Sequence, residues 1–184
     1  MRRMKPMVLG LGGRKGSGKS TLGKAIAEEL GWPYASFGAY VRSVAAQRGL
    51  PQSLDALQRL GAALLEADCA KLCADCLAYS GWRPGQSVVV EGVRHVKAVD
   101  ELRALAAPGR LMLVFIEVPE DELLARLSEK GIMHADALRE FEAHSTEVDV
   151  KSKLRAVSDR VVDGTRPVSD LMHEITAYVR SAGA

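Results

Sequence analysis

Eight consecutive residues, Gly13-Arg14-Lys15-Gly16-Ser17-Gly18-Lys19-Ser20, constrain this chain more than any other stretch. They match G-x-x-x-x-G-K-[ST], a loop that cradles phosphate. Glycines in such a loop allow positive φ and keep Cβ atoms away from the anion. The loop N–H groups then converge as a nest, and the helix that follows adds its positive end. Lys19 is placed to reach the β and γ oxygens of a nucleotide, and Ser20 to offer its hydroxyl to Mg²⁺. Gly13, Gly16, Ser17, Gly18 and Thr21 complete the expected nucleotide contacts. Lys15 is a second cation that either touches phosphate or stays in solvent. The flanks fit the loop. Met7 to Leu11 is a short apolar run suited to a buried strand, and Leu22, Ile26 and Leu30 share one helical face after it.

From there apolar runs alternate with helical periods. Tyr34 to Phe37 reads as a second strand and Gly38 to Gln47 as a helix. Ser53 caps a helix expected to continue unbroken to about Tyr79. Ser87 to Glu91, with three successive valines, suits a strand buried on both faces. Gly92 is the expected exit from it. A helix over Val96 to Leu105 precedes the most hydrophobic run, Leu111 to Ile116. Pro119 suits the first position of a helix ending at Gly131, with Glu120, Asp121 and Glu122 in its first turn. Residues 131–150 carry Arg139, Glu140, Glu142, His144 and Glu147 and read as a polar flap or short helix. Arg160 to Val162 is a fifth strand, and Val168, Leu171, Met172, Ile175 and Val179 line a final helix. The expected fold class is α/β: a five-stranded parallel sheet with helices on both faces. One domain spans 1–184, with a core of 7–37, 87–125 and 156–184, a helical insert at 38–80 and a small lid at 126–150. Ligands of such sheets bind at the carboxyl ends of the strands. That places the glycine loop, the Ser36–Arg42 corner and Glu91–Arg94 around one crevice.

The remaining composition narrows the partners. A net charge of +2 and 5% aromatic residues give no footprint for nucleic acid. No apolar run approaches the roughly 20 residues that span a bilayer. The short apolar stretch after the basic N-terminus is the strand before the loop rather than a signal segment. A cytoplasmic protein, monomeric or homodimeric, is expected. Cys69, Cys73 and Cys76 have the C-x3-C-x2-C spacing of some iron–sulfur enzymes. On a helix that spacing is also one face, and a packed face of free thiols is the preferred reading. His95, His134, His144 and His173 lack metal-like spacing.

Three stretches together resemble the nucleoside monophosphate kinase branch of the P-loop kinases, which implies the three-layer P-loop NTPase fold with a helical acceptor-binding insert. One is the glycine loop. Another is Ser36-Phe37-Gly38-Ala39-Tyr40-Val41-Arg42, similar to the S-T-G-D-x-L-R segment of adenylate kinases, whose arginine binds the acceptor phosphate. Ala39 replaces the aspartate, so Ser36, Gly38 and Arg42 carry over. The last is Glu91-Gly92-Val93-Arg94, similar to D-G-F-P-R, with the arginine one place earlier. Dephospho-CoA-kinase-related P-loop proteins and phage deoxynucleoside monophosphate kinases show the same D/E-G-[IV]-R step. Their tail, A-D-x-V-I-x-N, resembles Ala156 to Gly164, with Ser158 and Asp163 departing from it. The loop after it closes over the donor base in relatives, which implies that role for Asp163 and Gly164. The resemblance also makes Arg126 the lid arginine, with Lys130 or Arg139 as a second cation.

Each position has its own physical reading. Arg42 and Arg94 can hold a phosphate bidentately, or serve as surface or structural ion pairs. Glu91 ends an apolar strand, where a carboxylate is costly without a partner. Water-mediated contact with Mg²⁺, a base role or an ion pair with Arg94 would each satisfy it. Kinases of this fold that phosphorylate a hydroxyl usually place an aspartate just after the second strand, whereas this chain has Ser36-Phe37-Gly38. A phosphomonoester, with a second pKa of about 6, needs arginines rather than a base. The expected reaction is therefore MgATP-dependent transfer to a small phosphorylated acceptor, a nucleoside or deoxynucleoside monophosphate. The catalytic set would be Lys19, Arg42, Glu91, Arg94 and Arg126, with Ser20 and Glu91 serving the metal. Transfer to a hydroxyl, as by dephospho-CoA kinases, and an ATP-binding switch without an acceptor are the alternatives.

Overall fold

A computed structural model describes residues 5–131 and 150–182. Its sheet has five parallel strands in the order β2-β3-β1-β4-β5. β1 (Met7–Gly13) lies at the centre, buried along its whole length. β3 (Val88–Val93) and β4 (Arg110–Glu117) flank it, and β2 (Tyr34–Ser36) and β5 (Arg160–Asp163) form the edges.

Alternate strand residues point to opposite faces, so each apolar run builds two core layers at once. Val8, Val88, Val90, Leu111 and Leu113 face α4 (Cys69–Tyr79) and α5 (Val96–Ala106). Leu9, Leu11, Val89, Met112 and Val114 face α1 (Lys19–Leu30) and α7 (Val168–Ala182). Between β2 and β3 the chain first forms α2 (Phe37–Gln47) and α3 (Leu54–Ala67). This pair shares a small core of its own, made by Val41, Val44, Ala45 and Leu60. After β4 comes α6 (Glu120–Glu129), and a π turn at Val150–Leu154 sets Leu154 against the end of β1.

The expected fold holds, with local corrections. The single helix from Ser53 to Tyr79 is two helices. Asp68 is extended, at φ −163° and ψ 94°, ending α3 while its carboxylate caps α4 by accepting from Lys71 N. α4 then joins the sheet-face core through Cys73, Cys76 and Leu77, leaving α2 and α3 as the part that stands beside the sheet. Phe37 opens α2 instead of closing β2. Gly92 is not the exit from β3 but a bulge inside it, at φ 83°. The register slips there from Leu11↔Glu91 to Gly12↔Val93. Pro119 is the cap residue before α6 rather than its first residue. The polar flap read over 131–150, with Arg139, His134 and His144, falls almost wholly outside the described residues.

Candidate active site

Three strand ends meet at one edge of the sheet, because Ser36 pairs with Glu91 and Glu91 with Leu11, just before the glycine loop. The loop leaves β1 at Gly13, whose φ of 145° favours glycine. A Cβ there would stand 2.7 Å from Ile116 O and 2.8 Å from Ser17 Oγ. Lys19 opens α1 and is 6% exposed. Its Nζ donates to Arg14 O at 2.7 Å and to Ser17 Oγ at 3.4 Å, so the loop curls around its own cation. Arg14 reaches Glu120 on α6 at 3.7 Å.

Glu91 is buried to 7% exposure. Ser36 Oγ donates to Glu91 Oε1 at 2.5 Å. The same oxygen accepts from Ala39 N at 3.2 Å and caps α2. One hydroxyl thus fixes both the carboxylate and the start of the helix carrying Arg42. Among the described residues, Arg42 has no ion pair or side-chain hydrogen bond; its guanidinium lies beside Gly38.

Tyr34, which the sequence reading passed over, joins this group. Its ring lies so close to α1 that a Cβ on Gly23 would stand 2.9 Å from Tyr34 Cε2. Ser20 and the Glu91 carboxylate are near enough to its hydroxyl to bias its titration. Burial, then the Glu91 charge, pushes the phenol well above its ordinary range, so it stays protonated and able to donate. Strand parity held the signal. Tyr34 and Ser36 are two apart, as are Val89 and Glu91, and Val89 packs on the α1 face.

A cavity of about 390 Å³ opens over this edge. Lys15, Gly16, Gly18, Lys19, Ser20 and Thr21 form its floor, and Arg42, Glu91, Arg94 and Lys130 line it as well. Phe37, Val41, Leu54, Leu57 and Leu65 add apolar lining. The hydroxyl of Ser20 and the carboxylate of Glu91 both line this cavity, and hard oxygen donors of that kind fit Mg²⁺.

Arg126, Asp163 and Gly164 form a second group that does not line this cavity. Arg126 Nε donates to Glu122 Oε1 at 2.9 Å and Nη2 to Gly164 O at 3.1 Å, tying α6 to the loop after β5. Asp163 accepts from Thr165 N and Oγ1, and those bonds hold its carboxyl below the usual range.

The cysteines follow the packed-face reading. All three are buried free thiols, and among the described residues no cluster of three metal-ligating side chains occurs. Burial, then the Glu91 charge, pushes Cys76 up to about 12. No helix among the described residues is long and apolar enough to cross a membrane.

Sheet order, glycine loop and the charged strand ends define a P-loop kinase of the nucleoside monophosphate kinase-like class, an enzyme of phosphoryl transfer to small molecules. The chain belongs to the family described as AAA domain, matched over residues 9–147. A UPF0200 protein of Aeropyrum pernix is 31% identical over 184 aligned residues, 96% of this chain and 94% of that protein. An adenylate kinase of Gloeobacter violaceus is 34% identical over 124 residues, 63% of this chain and 54% of its own. Among solved structures, a gluconokinase from Sinorhizobium meliloti 1021 superposes with a TM-score of 0.62 at 25% identity, covering 98% of this chain and 95% of that one.

Proposed function

We propose that the protein transfers a phosphoryl group from MgATP to a nucleoside or deoxynucleoside monophosphate. The observation that carries this reading is the mixed lining of the cavity. Lys19, Arg42 and Arg94 line it together with many aliphatic and aromatic side chains. A polyhydroxylated sugar or sugar acid would press hydroxyls against side chains such as Leu54, Leu57 and Leu65. Each hydroxyl left without a partner costs about 1–3 kcal/mol. A planar base attached to a phosphate suits both kinds of lining.

The residues divide the work. Loop amides from Gly13 to Ser20 and the start of α1 take the donor's phosphates. Lys19 exchanges Arg14 O for a phosphate oxygen. Arg42, on a helix pinned by Ser36, and Arg94, just past β3, hold the acceptor phosphate and offset repulsion between the two anions. That phosphate is already mostly dianionic at neutral pH, so no residue need act as base. Ser20 and Glu91 would hold Mg²⁺, which supplies charge neutralisation when bound. Lys130, the residue that ends α6, adds a cation. Asp163 and Gly164, clamped by Arg126, form the donor-base end.

The test offers ATP with a panel of monophosphates and follows ADP release. Turnover on one or more of them is expected. No turnover on any, together with turnover on dephospho-CoA or another alcohol, overturns the assignment. Tight nucleotide binding with no acceptor-stimulated turnover would point to a switch.

A further inference from the structure

We propose that Ser36 is a positioning residue whose hydroxyl makes acceptor affinity depend on Glu91, a proposal that rests on the acceptor reading above. Two hydrogen bonds meet at Ser36 Oγ. It accepts from Ala39 N at 3.2 Å, which caps α2, and it donates to Glu91 Oε1 at 2.5 Å. Amide, hydroxyl and carboxylate therefore form one chain, in which each bond polarises the next. It runs from the first turn of α2 to the carboxylate on β3. Both ends reach the cavity: Phe37, Gly38 and Arg42 line it from α2, and Glu91 lines it from β3.

The first turn matters because Arg42 folds back over it. A Cβ built on Gly38 would stand 3.8 Å from Arg42 Nη1 and 3.8 Å from Ser36 Oγ, so guanidinium and hydroxyl flank the same point. The bulge at Gly92 abuts that turn from β3, since a Cβ there would stand 3.5 Å from Phe37 Cβ and 3.8 Å from Gly38 N. A carboxylate has no donor to offer a phosphate. Glu91 instead anchors the turn over which the phosphate-binding guanidinium lies. Serine and threonine complete this chain through a single oxygen that accepts and donates at once. Aspartate caps a helix as well as serine does, but it cannot donate and would set a second carboxylate against Glu91. Alanine does neither.

The experiment measures the Kd of AMP, CMP, GMP, UMP and dTMP by isothermal titration calorimetry, then kcat and KM for the one bound most tightly. Ser36→Ala should weaken that monophosphate about 10-fold or more, and Ser36→Thr should stay within about 3-fold of wild type. Ser36→Asp should bind at least as poorly as Ser36→Ala. Adding Glu91→Gln to Ser36→Asp gives the new cap a donor, and should return Kd to within about 3-fold of wild type while kcat stays low. A capping role alone predicts no such rescue, because Ser36→Asp would then suffice by itself. If Ser36→Asp does not fold, Ser36→Ala against Ser36→Thr decides the matter. An unchanged Kd in Ser36→Ala or Ser36→Asp, or a double variant no better than Ser36→Asp, overturns the role of Ser36 and leaves the monophosphate reading standing. Wild type that neither binds nor phosphorylates any of the five overturns both.

Discussion

Lys19 holds its place through Arg14 O and Ser17 Oγ. On the proposed function, replacing it removes a contact made to the transferring group but no apolar packing of note. Lys19→Ala should therefore lower transfer about 100-fold or more while thermal melting stays close to wild type. Tyr34 is a positioning residue. Its hydroxyl lies near Ser20 and the Glu91 charge, so, on the proposed function, Tyr34→Phe should raise the Mg²⁺ concentration for half-maximal transfer about 10-fold. Magnesium curves that superimpose would leave the ring with a packing role alone. These residues also show what a sequence discloses. The glycine loop is legible because its chemistry lies in eight adjacent letters. Glu91 stands out as a charge at the end of an apolar run. Tyr34 does not, because an aromatic in a strand reads as core until pairing sets Ser36 against Glu91.

At the scale of elements, boundaries fixed by a local cap were the hard part. The helical period runs on through Asp68, and only the backbone shows that this aspartate ends one helix and starts another. α4 lands in the main core for that reason. Its thiols, pushed upward by burial, should react with a thiol-specific disulfide reagent at about pH 8 only after unfolding. Rapid reaction of Cys73 or Cys76 in the native protein would contradict this packing.

The junction of β5 and α7 carries the clearest acid dependence. Glu174 accepts from Arg166 Nη1 at 2.6 Å and from Arg160 Nη2 at 2.8 Å, and these partners hold its carboxyl below the usual range. A depressed folded value means the link contributes fully above the ordinary glutamate value of about 4.3 and fades as pH falls through the lower one. The melting temperatures of wild type and Glu174→Gln should differ near neutral pH and converge below about pH 4. A gap that persists in acid would assign the difference to packing.

For the whole molecule, binding should be visible as stability. Nucleotide at about 100 times its Kd adds about 2.7 kcal/mol, or roughly 5–10 °C in Tm for a chain of this length. MgATP should produce that shift in wild type and much less in Lys19→Ala, as read by differential scanning fluorimetry. The architecture was plain from sequence because each of the three inner strands is a distinct apolar run bounded by helical periods. The apolar lining of the cavity was not, since it is assembled from helices that meet only in three dimensions.

The separate small core shared by α2 and α3 has an evolutionary consequence. Substitutions at Val41, Val44, Ala45 and Leu60 fall in a cluster separate from the two sheet-face cores. Lineages that keep the same phosphate-handling engine can therefore exchange one small-molecule clientele for another by redecorating a few turns of helix.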